Sequence, residues 1–253
     1  MTKDAPVPAL IPPDLPLAQI EGLVHRYHHA NRGVMALLMR FGGKVEGQMA
    51  KLPAPVQDRI QGITENALVR AYGLAQVGPR LGERGQMALA TLSGAAGGFA
   101  GLPGAVAELP VAVTLILRGI QEVAQEHGFD PASDVTQRET LRVFGAGGPL
   151  AEDDGINTSF LGARLTFTGP ALNRMITAVV PKLAAALGQK LAAQAIPVLG
   201  AVAGAALNAA FVQYYREMAH VRFGLLELAL RHDPDKVLAA FRDAAEAPRL
   251  TMK

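Results

Sequence analysis

Apolar residues along this chain recur at intervals of three and four, and proline and glycine cut the resulting pattern into segments. The first segment predicts a helix from about Leu17 to Phe41, stopped at Gly42 and Gly43. A second runs from Pro55, in its first turn, to Val77, with Gly78 and Pro79 as its stop. An Ala/Gly stretch, Met87–Ala107, comes next, followed by an apolar helix from Pro110 to His127 that Gly128 closes. Asp134 with Gln137, and Thr136 with Glu139, are helix-start pairs for a segment reaching Phe144. Gly145–Pro149 and the acidic Glu152–Gly155 read as loop. Further helices are expected over Ala171–Leu187 and Leu191–Arg231, the second bent at Pro197. Asp233 is placed to cap a last helix with Pro234 at its first position, and Val237, Leu238, Phe241 and Ala245 form its apolar face. Leu165–Thr168 alternates but is too short for a strand. The fold class is therefore all-α, a single multi-helix bundle with a Gly/Ala-rich apolar helical hairpin. Along the chain this divides into a Pro-rich tail (1–16), an N-terminal helical region (17–80), a helical core (81–232), and a C-terminal helix with its tail (233–253).

Two stretches carry no formal charge: Met87–Ala107, 21 residues, and Leu191–Tyr215, 25 residues. Either reaches the roughly 20 residues a bilayer span needs. The first, however, holds five glycines and Pro103, and the second holds Gln194, Pro197, Asn208 and Gln213. Both carry small residues at four-residue spacing, in the pairs Gly94/Gly98, Gly97/Gly101 and Gly200/Gly204. Such spacing lets helices approach closely in lipid and in a soluble bundle alike. The expectation is a buried hairpin or a reversible membrane association, ahead of true spanning. Farther on, Phe211, Tyr214, Tyr215, Met218, Val221 and Leu225 share one apolar side, suited to a core, a lipid surface or a partner helix.

Composition sharpens this picture. Half the residues are hydrophobic and the net charge is only +2, which excludes a disordered chain. Twenty-seven glycines stand against 9 phenylalanines, 4 tyrosines and no tryptophan, so the apolar mass is mostly small. The absence of cysteine excludes disulfide scaffolds and thiolate chemistry. Lysines and arginines are scattered, so nucleic acid is not an expected partner. Pro6, Pro8, Pro12, Pro13 and Pro16 break any export-signal helix, making the cytoplasm the expected compartment.

Few motifs carry chemistry. Glu21, His25 and His29 share a helical face with His28 beside them, a weak metal candidate that lacks ligands from a second element. A solvated helix face is the expected reading, with no cofactor. Gly43–Lys44 is no phosphate loop, because position 38 is Leu38. Gly145 and Gly147 lead to Leu150 after a helix, so the dinucleotide fingerprint fails as well. Ser93 lies between Thr91 and Ala95, not in a nucleophile elbow. Polar residues inside apolar runs say more. Glu108 and Arg118 are costly to bury unpaired, so each implies a partner. Lys190, Gln194, Asn208 and Tyr215 fall on one helical face, as a structural network or a ligand site.

GLPGAVAELP at Gly101–Pro110, LRGIQEVA at Leu117–Ala124 and HGFD at His127–Asp130 together resemble the signature block of the EcsC family. The resemblance continues in RVFG at Arg142–Gly145 with Gly147 and Gly148, and in KLAAQAIPVLG at Lys190–Gly200 with Gly204 and Asn208–Phe211. It extends from about Leu81 to Leu228 and takes in Glu108, Pro110, Arg118, Gln194, Pro197, Gly200 and Asn208. Ile156 and Phe160 stand where similar sequences carry aromatics. The resemblance implies an all-α, membrane-associated bacterial protein, with no assigned catalytic residue or substrate. The expected function is non-enzymatic, at the inner-membrane surface or on a membrane protein such as an ABC transporter. The alternative is a lipid- or small-molecule-binding protein, or a hydrolase, with a pocket around Glu108, Arg118, Gln194 and Asn208.

Overall fold

The computed structural model of the chain describes residues 15–42, 55, 80–145 and 199–246. They form helices α1 (Leu17–Gly42), α2 (Gly82–Phe99), α3 (Gly101–Glu126), α4 (Asp134–Gly145), α5 (Leu199–Ala229) and α6 (Pro234–Glu246). No strand occurs among the described residues, and the fold is all-α. Several expected features lie outside them: the Pro-rich tail but for its last two residues, the helices over Pro55–Val77 (beyond Pro55) and Ala171–Leu187, the loops after Gly145 and over Glu152–Gly155, and the Leu191–Val198 part of the long helix with its bend at Pro197.

The 31-residue α5 is the spine, and each of the other five helices packs against it. Near its C-terminal end, Val221, Leu225 and Leu228 meet Ile20 and Val24 of α1 and Val237 and Phe241 of α6 in one buried cluster. Spacings of three and four put each set on a single face, as the periodicity predicts. Tyr27 closes the cluster with an edge-on contact to Phe241.

At the other end, α2, α3 and α5 approach nearly backbone to backbone. A Cβ added to Gly94 would overlap the Gly204 carbonyl, and one added to Gly98 would overlap that of Gly200. The pairing runs in reverse order, so α2 and α5 are antiparallel. Thus the two small-residue motifs seen separately in the sequence are the two halves of one crossing. Between α2 and α3 the same device recurs, since a Cβ on Gly97 would sit 2.8 Å from the Glu108 Cβ.

The hairpin departs from expectation at its turn. Met87–Ala107 is no continuous span, because the chain reverses at Ala100 (φ −82°, ψ 8°) between α2 and α3. The following helix starts at Gly101, so Pro110 lies inside it. Pro110 offers no amide to the Val106 carbonyl, a break that normally ends a helix. Here packing of α3 on α2 and α5 continues the helix through it. None of the described helices is long and apolar enough to cross a membrane.

Helix ends follow local chemistry. Gly128 (φ +80°) closes α3, with its amide donating to the Gln125 carbonyl and the Phe129 amide to that of Ala124. That double bond is the glycine-dependent C-terminal motif anticipated at this position. Asp233 Oδ1 accepts from the Asp235 and Lys236 amides, capping α6 as its sequence predicts. At α4 the cap is Ser133, whose Oγ accepts from the Thr136 amide at 3.3 Å, in place of the Asp134 and Thr136 starts.

Candidate functional site

Where the glycine crossing brings α2, α3 and α5 together, a polar triad is enclosed. Ser93 Oγ donates to Glu108 Oε1 at 3.1 Å. The Asn208 side-chain amide donates to the same oxygen at 2.6 Å and to Ser93 Oγ at 3.1 Å. Glu108 and Asn208 are buried, and each side chain comes from a different helix. Without side chains at Gly94 and Gly97 between them, the helices come close enough for these short groups to meet. The triad therefore holds a buried carboxylate through direct bonds.

Arg118 lies elsewhere. It sits ten residues along α3 from Glu108, about 15 Å at the helical rise, and approaches Glu122 at 3.7 Å. Glu122 in turn accepts from the Leu81 and Gly82 amides at 2.9 and 3.0 Å. A carboxylate from one helix thus caps the N-terminus of another, which its dipole favours. Of the four residues expected to line a pocket, Glu108 and Asn208 meet, Arg118 lies about 15 Å along α3 from Glu108, and Gln194, like Lys190, lies outside the described residues. Tyr215 is buried against Tyr214 and Phe144, and burial raises its phenol above the ordinary range. Its hydroxyl has no hydrogen-bond partner.

On α1, Glu21, His25 and His29 are exposed, and the His25 and His29 rings lie parallel at 6.5 Å. Among the described residues no three His, Asp or Glu side chains gather as a metal site.

Several polar links were not foreseen. Arg216 of α5 donates to Gln86 Oε1 of α2 at 2.9 Å, in room left by Gly119 of α3. Arg222 of α5 donates from Nε to Glu139 of α4 at 2.6 Å, and Arg142 reaches the other oxygen of that carboxylate at 2.9 Å. Burial lowers Arg222 to about 9, opposed by Glu139, so it remains charged at neutral pH. At the end opposite the triad, His127 Nδ1 faces Glu227 at 3.1 Å and its Nε2 faces His220 Nδ1 at 3.1 Å. His220 Nε2 lies 3.7 Å from Glu126. Burial, then the Arg26, His127 and Arg216 charges, push His220 down to about 3.

The outer surface of the triad end is apolar. Leu89, Leu92 and Phe99 of α2, Val111 of α3 and Val202 of α5 are all exposed. The hydroxyls among them bond to their own helices: Thr91 donates to the Met87 carbonyl at 2.8 Å and Thr114 to that of Pro110 at 2.7 Å. Glu108 is the sole charged residue in Met87–Leu117, and Leu199–Tyr215 has none.

These features define an all-α protein organised round a glycine-packed hairpin, with an enclosed polar triad beneath an uncharged end. The chain belongs to the EcsC protein family, matching it over residues 80–225. No curated protein and no solved structure matches it.

Proposed function

We propose that this EcsC-family chain acts at a membrane surface, with the uncharged end of α2, α3 and α5 seated in one leaflet. The observation that carries the reading is the belt of large apolar side chains around that end. Leu92, Phe99 and Val202 are 66, 68 and 65% exposed. A protein partner normally pairs about one hydrogen bond per 100–200 Å² of interface. Among the described residues this surface offers few donors, because the Thr91 and Thr114 hydroxyls donate to their own helices. Hydrocarbon is the surrounding that asks for no such pairing. From Leu89 to Phe99 is ten residues, about 15 Å of helix, or half of a hydrocarbon core about 30 Å thick. That depth suits association with one leaflet, and none of the described helices meets the requirement for crossing.

Purified protein mixed with liposomes and floated on a density gradient tests the reading. The native chain should rise with pure lipid vesicles, and Leu92→Glu combined with Phe99→Glu should stay behind while melting at the same temperature. A protein that ignores lipid but rises with vesicles carrying a membrane protein would replace the lipid surface by that partner.

The second reading, a ligand-binding protein or hydrolase, draws on the Ser93–Glu108–Asn208 triad. Among the described residues of α5 no imidazole reaches it, since His220 lies twelve residues along that helix from Asn208, about 18 Å away.

A further inference from the structure

We infer that binding at this end selects convex, loosely packed lipid surfaces over flat ones and depends little on anionic headgroups; the inference rests on the one-leaflet seating proposed above.

The exposed apolar residues do not form a stripe on one helix. Leu89, Leu92 and Phe99 lie on α2, Val111 on α3 and Val202 on α5, so the exposed apolar residues are spread over three closely packed helices. Seating such an end displaces lipid over the joint cross-section of three helices, each roughly 10 Å across. Because the belt is only about 15 Å tall, the displaced area falls in one leaflet, and the other is unchanged. An area mismatch of that kind costs least where the receiving leaflet is already spread, which is the outer face of a highly curved vesicle.

The gain available on a flat bilayer is small. Between the five large side chains, the other described residues exposed at this end are Ala88, Thr91, Ala96, Ala100, Pro103, Ala107 and Pro110, which bring little apolar area per residue. Hydrophobic gain scales with that area, so it has little with which to open a tightly packed leaflet. Electrostatics adds little either. Among the described residues the belt has no lysine or arginine, the neighbouring exposed Arg80, Glu83 and Arg84 leave a single net positive charge, and the whole chain carries +2. Surface helices that rely on anionic lipid place lysine and arginine along their polar edge, and none of the described residues of the belt is basic.

The full chain should be titrated with small and with large phosphatidylcholine vesicles at equal accessible lipid, with and without phosphatidylglycerol. The expected result is roughly tenfold stronger binding to the small vesicles, little changed by the anionic lipid and lost in the Leu92→Glu, Phe99→Glu variant. Equal binding to both sizes overturns the curvature inference while leaving the membrane reading standing. So does binding that rises steeply with phosphatidylglycerol and ignores size. Failure to bind any vesicle, or binding untouched by the two glutamates, removes the membrane reading and this inference with it.

Discussion

Gly98 shows most sharply what a single residue does here. A Cβ at this position would run into the Gly200 carbonyl, which belongs to backbone and cannot rotate aside. Gly98→Ala should therefore force α2 and α5 apart and lower stability by about 1–3 kcal/mol, the usual cost of overpacking, read as a drop in the thermal midpoint. Asn208 makes the complementary case. Asn208→Ala leaves the buried Glu108 carboxylate without its 2.6 Å donor and should cost about 2–4 kcal/mol. A thermal midpoint unchanged in that variant, with loss of a bound ligand, would favour the pocket reading. Glu108 and Asn208 were legible because charge and amide are out of place in apolar runs. Ser93 was not, because a serine in a Gly/Ala stretch looks inert until a carboxylate fifteen residues on folds over it. Arg118 was grouped with them by its isolation alone, and isolation in sequence does not say which helix supplies the partner.

At the scale of elements, helices with one buried face were legible and their ends only in part. α1 begins and ends, and α6 begins, where spacing and caps place them. Asp233→Ala should cost about 1 kcal/mol by removing the acceptor for two amides of α6, measurable by urea denaturation. The start of α4 was misplaced by one residue because Ser133, Asp134 and Thr136 all have capping side chains, and only geometry chooses the serine. The hairpin hid its turn for a different reason. Glycines and prolines cluster from Gly97 to Gly104, yet the residue that reverses the chain is Ala100, and the glycines serve close packing instead of breaking the helix. Pro110 was taken for a boundary by the same logic, and tertiary packing overrode it.

The described helices are polarised. One end shows no charged side chain on its described outer surface and is held by glycine, while the other is laced by arginine, glutamate and histidine. That second end predicts an acid response. His220 in the folded chain titrates near 3, whereas an unfolded histidine takes up its proton near 6.5. Between those values the unfolded chain binds the extra proton, so this group's contribution is complete above about pH 6.5 and is lost as pH falls toward 3. The loss is at most about 1.4 kcal/mol per pH unit, and less here because solvent reaches part of the ring. His220→Gln should lower stability at pH 7, where the bond to His127 is gone, yet flatten its decline between pH 6 and pH 4. Parallel declines in the two proteins would assign the acid loss to other groups. None of this pairing was legible beforehand, since His127 and His220 lie 93 residues apart and neither stands out from its own helix.

Because the chain contains no tryptophan, a single introduced indole reports its surroundings without background. Phe99→Trp places it at the tip of the uncharged end, and Leu230→Trp, at another exposed apolar position, places it near the charged end. With vesicles containing lipids brominated along their acyl chains, the account predicts a blue-shifted, strongly quenched emission from position 99. Emission from position 230 should be unshifted and unquenched. Equal, water-like emission from both positions in the presence of vesicles would contradict it.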